Sequence, residues 1–139
     1  MATRADFTED EWKAMQKGVT GAGMLVSISD RDFTDSFGEA SALAKALAAQ
    51  REQGASDLVK ELSSVRGTGF GLTDSPQEVE SETLAALETA LETLAAKAPD
   101  ETGSYRQLVL TVATAVGDAK GGLSDEETAA LGRLQEALA

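Results

Sequence analysis

Apolar positions along most of the chain recur every three or four residues, which is the spacing of one helix face, and no segment alternates as a strand would. The first such segment contains Trp12, Met15, Val19, Ala22 and Val26. Further segments with the same spacing follow it. The pattern therefore predicts an all-α fold of about six helices in a compact orthogonal or bundle-like array, forming a single helical domain over residues 1–139.

The residues between these segments predict where the helices begin and end. Thr8 and Glu11 have the spacing of a capping box, so the first helix is expected from this cap to about Ser29. Later helices are expected to start near Thr34, Ser56, Ser75, Ser104 and Ser124 and to stop at Gly54, Pro99 and Gly117. The longest loop, Gly67–Asp74, breaks all periodicity and is either a connector or a functional loop.

Three glycines, Gly18, Gly21 and Gly23, interrupt the first helix. Each costs about 0.5–1 kcal/mol relative to Ala in a helix interior, so a compensating gain is expected from the close approach of another backbone. A phosphate-binding loop would need a preceding strand and a Lys-Ser/Thr pair, and the segment has neither. Packing is therefore the favoured interpretation of these glycines.

The same patterns predict which side chains are buried. Trp12 is expected to pack against the body of the domain together with Phe7, because the two residues flank the first cap as a hydrophobic staple does. The fifth helix is expected to be the most buried. The fourth helix is expected to bury Val79, Leu84, Leu87, Leu91, Leu94 and Ala95 and to expose an acidic face made of Glu78, Glu80, Glu82, Glu88 and Glu92.

Composition narrows the classes of function. The chain has no Cys and no His, which excludes disulfides, thiolate or imidazole metal sites and Ser-His or Cys-His catalysis. Its 24 acidic and 12 basic residues give a formal charge of −12, so nucleic acid and anionic membranes are unlikely partners. No signal peptide and no run of 18 apolar residues is present, which favours the cytoplasm.

The first and last helix pairs have similar patterns, each with an apolar small-residue helix, an Asp-containing turn, a Thr or Ser cap and an Ala/Leu-rich helix. This similarity predicts two related helical hairpins, packed about a pseudo-twofold axis. Chance is the alternative explanation, because capped Ala-rich helices resemble one another easily.

The second half also resembles the TerB-like helical family, named for a tellurite-resistance protein and found attached to DnaJ-type co-chaperones. Ala115–Asp118, followed by Ser124–Glu127 and Ala130–Leu131, carries the resemblance, and Ser29–Asp30 with Thr34–Asp35 and Glu39 is a fainter first copy. Lys120 and the pair Arg31–Asp32 depart from the family pattern. The resemblance implies a helical module that binds a protein partner in a stress-response or similar assembly.

The acidic turns offer a candidate metal site. Asp30, Asp32, Asp35 and Glu39 carry oxygen ligands of the kind that Ca²⁺ or Mg²⁺ prefers, although their spacing is not that of an EF-hand loop. Helix capping explains the acids that follow each cap without a metal. Capping is therefore the favoured interpretation, with no cofactor expected and Ca²⁺ or Mg²⁺ as the alternative.

Three hypotheses about function remain. The leading one is a non-enzymatic interaction module with a protein partner, present as a monomer or homodimer. The second is a module that binds or senses a divalent cation through the four acids of the metal candidate. The third is an enzyme or small-molecule binder that uses Tyr105 or carboxylates with raised pKa values.

Overall fold

The protein is described here from a computed structural model, which covers residues 4–29, 36–54, 57–63, 76–118 and 125–138. These ranges contain six α-helices and no strand: α1 (Glu9–Ser29), α2 (Ser36–Gln53), α3 (Asp57–Leu62), α4 (Pro76–Lys97), α5 (Thr102–Gly117) and α6 (Asp125–Leu138). Short 3₁₀ turns occupy Arg4–Asp6 and Pro99–Glu101. The predicted all-α fold class is confirmed. No helix in the described ranges is long and apolar enough to cross a membrane.

The capping box predicted at the start of α1 is present. The Thr8 backbone N–H donates to Glu11 Oε1 at 2.8 Å, and the Glu11 backbone N–H donates to Thr8 Oγ1 at 3.1 Å. The two residues thus satisfy each other's backbone donors at the end of the helix where donors lack partners. The caps predicted at Thr34, Ser56, Ser75 and Ser124 lie outside the described residues.

The junction between α4 and α5 is tighter than the sequence predicts. Pro99 follows the end of α4, as expected, and the backbone N–H of Ala98 still donates to Leu94 O at 2.8 Å. The 3₁₀ turn then leads directly into α5, because the Thr102 backbone N–H donates to Pro99 O. The fifth helix therefore begins two residues earlier than predicted, at Thr102 instead of Ser104.

Helix α1 lies at the centre of the fold. It packs most extensively on α4 and α5 and also contacts α2 and α6. The expectation that the fifth helix is the most buried was wrong: among the side chains that the structure describes, a larger fraction of α1 residues than of α5 residues is buried. Small residues along α1 explain this, since they let neighbouring helices approach from several sides.

The three glycines of α1 make these approaches possible. A Cβ atom on Gly18 would meet the Tyr105 hydroxyl and would lie 2.9 Å from Leu87 Cδ2. On Gly21 it would meet the Thr83 hydroxyl, and on Gly23 it would lie 3.0 Å from Leu43 Cδ1. Packing is therefore confirmed as their role. The atoms that fill the space belong to side chains of α5, α4 and α2, whereas the sequence predicted another backbone.

One hydrophobic core joins the helices. The predicted aromatic pair belongs to it: Trp12 is only 3% exposed, and the centroids of its ring and the Phe7 ring are 6.1 Å apart. The largest fully buried side chains come from five helices and are Met15, Val19, Val26, Leu58, Val59, Leu62, Leu87, Leu94, Tyr105, Leu108 and Leu134. Burial of this size accounts for a stable fold without disulfides.

The contacts among α1, α2, α5 and α6 are compatible with a pseudo-twofold arrangement of the two helix pairs. Helix α2 contacts α5 more extensively than it contacts α1, and α6 in turn contacts α1. The second helix of each pair therefore contacts the first helix of the other pair. The two connecting turns, residues 30–35 and 119–124, lie outside the described residues, and the two-fold relation itself stays a prediction.

Candidate functional site

A shallow groove of about 460 Å³ lies between α4 and α6 on the surface of the protein. Two half-buried apolar side chains, which we call its floor, and three exposed charged side chains, which we call its rim, line it. The five lining residues are Leu84, Glu88, Arg133, Glu136 and Ala137. We refer to this feature as the α4–α6 groove.

Helical spacing places these side chains on facing surfaces. Leu84 and Glu88 are one turn apart on α4, and Arg133 and Ala137 are one turn apart on α6. Leu84 and Ala137 also pack against the hydrophobic core from its outer side. The sequence placed Leu84 among the buried residues of its helix, but it is half-buried because it faces the groove.

The charges around the groove are unequal. The Nε atom of Arg133 lies 2.9 Å from Glu80 Oε1, so the one cation of the lining already has a carboxylate partner. Glu88 and Glu136 are exposed, and neither forms an ion pair within the described ranges. The groove therefore presents negative charge beside an apolar floor.

The acidic face predicted for the fourth helix is partly neutralised by neighbouring helices. Besides the Glu80–Arg133 pair, Lys17 Nζ on α1 lies 3.6 Å from Glu82 Oε1. Glu82 is exposed, as predicted, whereas Glu80 is half-buried beside Arg133. The exposed charge of α4 that has no ion pair among the described residues includes Glu88. Both bridges join residues far apart in the sequence, so helical spacing alone could not reveal them.

The side chains of the predicted metal site lie outside the part of the chain that the structure describes. Asp30, Asp32 and Asp35 lie outside the described residues, and so does the side chain of Glu39, whose backbone belongs to α2. The loop Gly67–Asp74 is outside them as well. Among the side chains that the structure does describe, no group of three or more acids is placed to hold a metal ion.

Tyr105, the residue suggested for catalysis, is part of the core. Its side chain is 0% exposed, and its hydroxyl donates a hydrogen bond of 2.8 Å to the backbone oxygen of Met15. Burial raises the pKa of the Tyr105 hydroxyl far above its ordinary value, because the phenolate would lose its hydration. A substrate on the surface could not reach this group, so its role here is to join α5 to α1.

A cluster of polar side chains joins the start of α1 to the end of α4. Lys97 Nζ lies 2.5 Å from Glu11 Oε1 and 6.0 Å from the centroid of the Phe7 ring. The hydrogen bond from Lys97 and that from the Thr8 backbone lower the pKa of Glu11. The groups of Phe7, Thr8, Glu11 and Lys97 each contact another member of this cluster. We therefore interpret the cluster as a structural clamp between the two helices and not as a ligand-binding site.

The α4–α6 groove is suited to recognition of a ligand surface. Its charged side chains are exposed and its apolar side chains are half-buried, and protein–protein interfaces likewise combine buried apolar groups with exposed polar ones. The sequence does not predict this groove, although its pattern assigns Leu84 to the buried face and Glu88 to the exposed face of the fourth helix. The missing information was the contact between α4 and α6, which helical periodicity does not contain.

Comparisons with protein-family models, with curated proteins and with solved structures find no significant match to this chain. The resemblance to the TerB-like family therefore stays a prediction.

Proposed function

We propose that this chain is a non-enzymatic helical module that binds a protein partner through the α4–α6 groove. The observation that carries the proposal is the groove itself, in which half-buried Leu84 and Ala137 are surrounded by the charged groups of Glu88, Arg133 and Glu136. Such a centre can bury apolar groups of a partner, while the rim aligns them. Both walls are long helices anchored in the core, so the surface is preformed.

Chemistry elsewhere in the chain favours binding over catalysis. The sequence has no His or Cys, and the hydroxyl of Tyr105 is bonded inside the core. The groove is also shallow, whereas sites that bind small molecules enclose most of the ligand surface. These features support a module whose activity is recognition.

The TerB-like resemblance of Ala115–Asp118 and Ser124–Glu127 supports a cytoplasmic stress-response or similar assembly as the setting. The proposal about binding does not depend on this setting. Identification of a partner that binds in the groove would test this setting directly, because the identity of the partner would show which process the module serves.

Site-directed photo-crosslinking tests the proposal. A small photoreactive side chain is placed at Ala137 in the groove or, as a control, at exposed Ala49 on α2, and adducts formed in the native cell are identified by mass spectrometry. We expect a defined protein to be captured at position 137 and not at position 49. The captured protein, purified alone, should then bind the wild-type chain.

Besides the capture of no defined protein at position 137, two results would contradict the proposal. One is a set of adducts that is the same at positions 137 and 49, since this would indicate random collisions. The other is a captured protein that binds the purified chain equally well when Leu84 is replaced by Asn, because binding through the groove requires its apolar floor.

A further inference from the structure

We infer that the segment bound in the α4–α6 groove is a cationic amphipathic helix of the partner protein. This inference rests on the proposed function, and it adds the chemistry and the conformation of the partner segment. Three observations carry it: the unpaired charges at the rim, the shape of the groove, and the charge of the whole chain.

The rim selects for positive charge. The Nε atom of Arg133 lies 2.9 Å from Glu80 Oε1, so this carboxylate offsets part of the positive charge of the only cation in the described lining. Glu88 on one wall and Glu136 on the other have no ion-pair partner in the described part of the chain. Lys or Arg side chains of a bound segment would supply those partners, whereas Asp or Glu side chains would face like charges.

The shape of the groove selects for a helix. Two helices, α4 and α6, form its walls, and a third helix can lay its row of apolar side chains between them as helices pack in bundles. An extended peptide would normally gain backbone hydrogen bonds from a sheet edge, and the described ranges contain no strand to provide one.

The charge of the whole chain acts in the same direction. A net charge of −12 attracts cationic segments over distances longer than direct contact and repels acidic ones. This long-range attraction has no preference for one surface, so the experiment must separate it from recognition by the groove.

The test uses three synthetic peptides of about 18 residues, a length at which an amphipathic helix forms readily on binding. The first combines Leu and Lys at amphipathic helical spacing. The second has the same composition in an order that destroys the apolar face, and the third replaces every Lys of the first with Glu. Fluorescence anisotropy measures binding of each labelled peptide to the full chain at physiological ionic strength.

Two matched variants separate the groove from the net charge. Glu88→Lys/Glu136→Lys reverses the charges at the rim. Glu52→Lys/Asp118→Lys makes the same change in net charge at exposed sites outside the groove, near the carboxyl ends of α2 and α5, where cations are tolerated. Circular dichroism before each titration confirms that both variants are folded.

We expect wild type and the control variant to bind the amphipathic Leu/Lys peptide and to discriminate against the other two peptides. The rim variant should bind the Leu/Lys peptide about tenfold more weakly or worse, and it should gain affinity for the Leu/Glu peptide. Equal weakening in the rim and control variants would overturn the inference, because binding would then follow net charge alone. Equal binding of the ordered and disordered Leu/Lys peptides would overturn the helical conformation.

The two proposals can fail separately. If a protein is captured at position 137 and binds through Leu84, but the Leu/Lys peptide does not bind, the proposed function stands and the cationic helix is wrong. If the peptide binds as expected but position 137 captures no defined protein, the proposed function is wrong and the groove is only a peptide-binding surface.

Discussion

Tyr105 shows how a single polar group can join two helices inside the core. Its hydroxyl, with no exposed surface, donates to the Met15 backbone oxygen and occupies the space beside Gly18. Because Met15 lies within α1, its oxygen also accepts the regular helical bond and keeps a partner if Tyr105 changes. Loss of the hydroxyl should therefore cost about 1 kcal/mol, near the low end for a buried hydrogen bond.

Tyr105 should also make the protein sensitive to alkali. Burial raises the pKa of its hydroxyl in the folded state above 10.0, the ordinary value expected in the unfolded chain. Below pH 10 both states are protonated and the stability is unaffected. Above pH 10 the unfolded state loses the proton first, so the free energy of unfolding falls as the pH rises.

The variant Tyr105→Phe isolates this effect. We expect urea denaturation to show that wild type loses more stability between neutral pH and about pH 11 than the variant does, because the variant has no phenol to ionise there. Other groups that titrate in alkali, such as lysines, contribute equally to both proteins and cancel in the comparison. An identical loss in the two proteins would show that residue 105 is not held neutral by burial.

Gly21 and Thr83 pack tightly against each other where α1 and α4 meet. A Cβ atom on Gly21 would meet Thr83 Oγ1, so one Cα hydrogen of Gly21 points at that oxygen, which has no conventional hydrogen-bond partner among the described residues. Rotation of Thr83 would not make room, since its Cβ and Cγ2 atoms are both 3.1 Å from the same position. The helix spacing here therefore depends on glycine.

We expect Gly21→Ala and Gly132→Ala to change stability in opposite directions. At Gly21 overpacking costs about 1–3 kcal/mol and exceeds the gain in helix propensity, so the variant unfolds at lower urea. At Gly132 in α6 nothing lies within 4 Å of the added Cβ, so the variant gains roughly 0.5–1 kcal/mol. The double variant Gly21→Ala/Thr83→Ala should recover part of the loss. Stabilisation by Gly21→Ala alone would mean that α1 and α4 are less closely packed.

At the scale of helices, the clamp between α1 and α4 predicts a specific acid response. The partners of Glu11 lower its pKa from the ordinary value of 4.5, with the Lys97 hydrogen bond as the largest cause. The stabilising contribution is complete above the pKa of the unfolded state and is lost as the pH falls through the lowered pKa of the folded state. The clamp should therefore loosen only in acid.

Lys97→Met tests this response, with Lys13→Met as its control. Lys97 pairs with Glu11 across two helices, whereas Lys13 pairs with Glu9 at 3.3 Å on one exposed helix surface. We expect NMR titration to show that the Glu11 pKa rises in Lys97→Met and hardly changes in Lys13→Met. If both variants shift the Glu11 pKa equally, the cause would be net charge and not the clamp.

The helices themselves were largely predictable, and their contacts were not. Trp12 and the Thr8–Glu11 cap could be assigned because helix caps and apolar spacing are local properties of the sequence. The Glu80–Arg133 bridge and the α4–α6 groove depend on how two helices meet, and many arrangements satisfy the same apolar periodicity. The central place of α1 was missed for the same reason, although its glycines signalled close packing.

At the scale of the whole molecule, the excess of 24 acidic over 12 basic residues is the dominant electrostatic feature. With one cation for every two acids, at least half of the acids have no cation to neutralise them one to one. Repulsion among like charges opposes the compact state, so added salt should raise the melting temperature by screening it. The stabilisation by a specific metal site must therefore be measured relative to this general effect of salt.

The predicted metal site can be tested by comparing the effect of Ca²⁺ with this general effect of salt. If Asp30, Asp32, Asp35 and Glu39 bind Ca²⁺, the cation adds stability by mass action beyond any screening effect. We expect no such addition, because the sequence predicts that Asp35 follows a helix cap at Thr34 and that Arg31 is a counter-ion for its acidic neighbours. Millimolar Ca²⁺ and NaCl of equal ionic strength should therefore raise the melting temperature equally in wild type and in Asp30→Ala. A larger rise with Ca²⁺ that disappears in Asp30→Ala would show that the turn is a cation site, and it would favour the sensing hypothesis over a purely structural role for these acids.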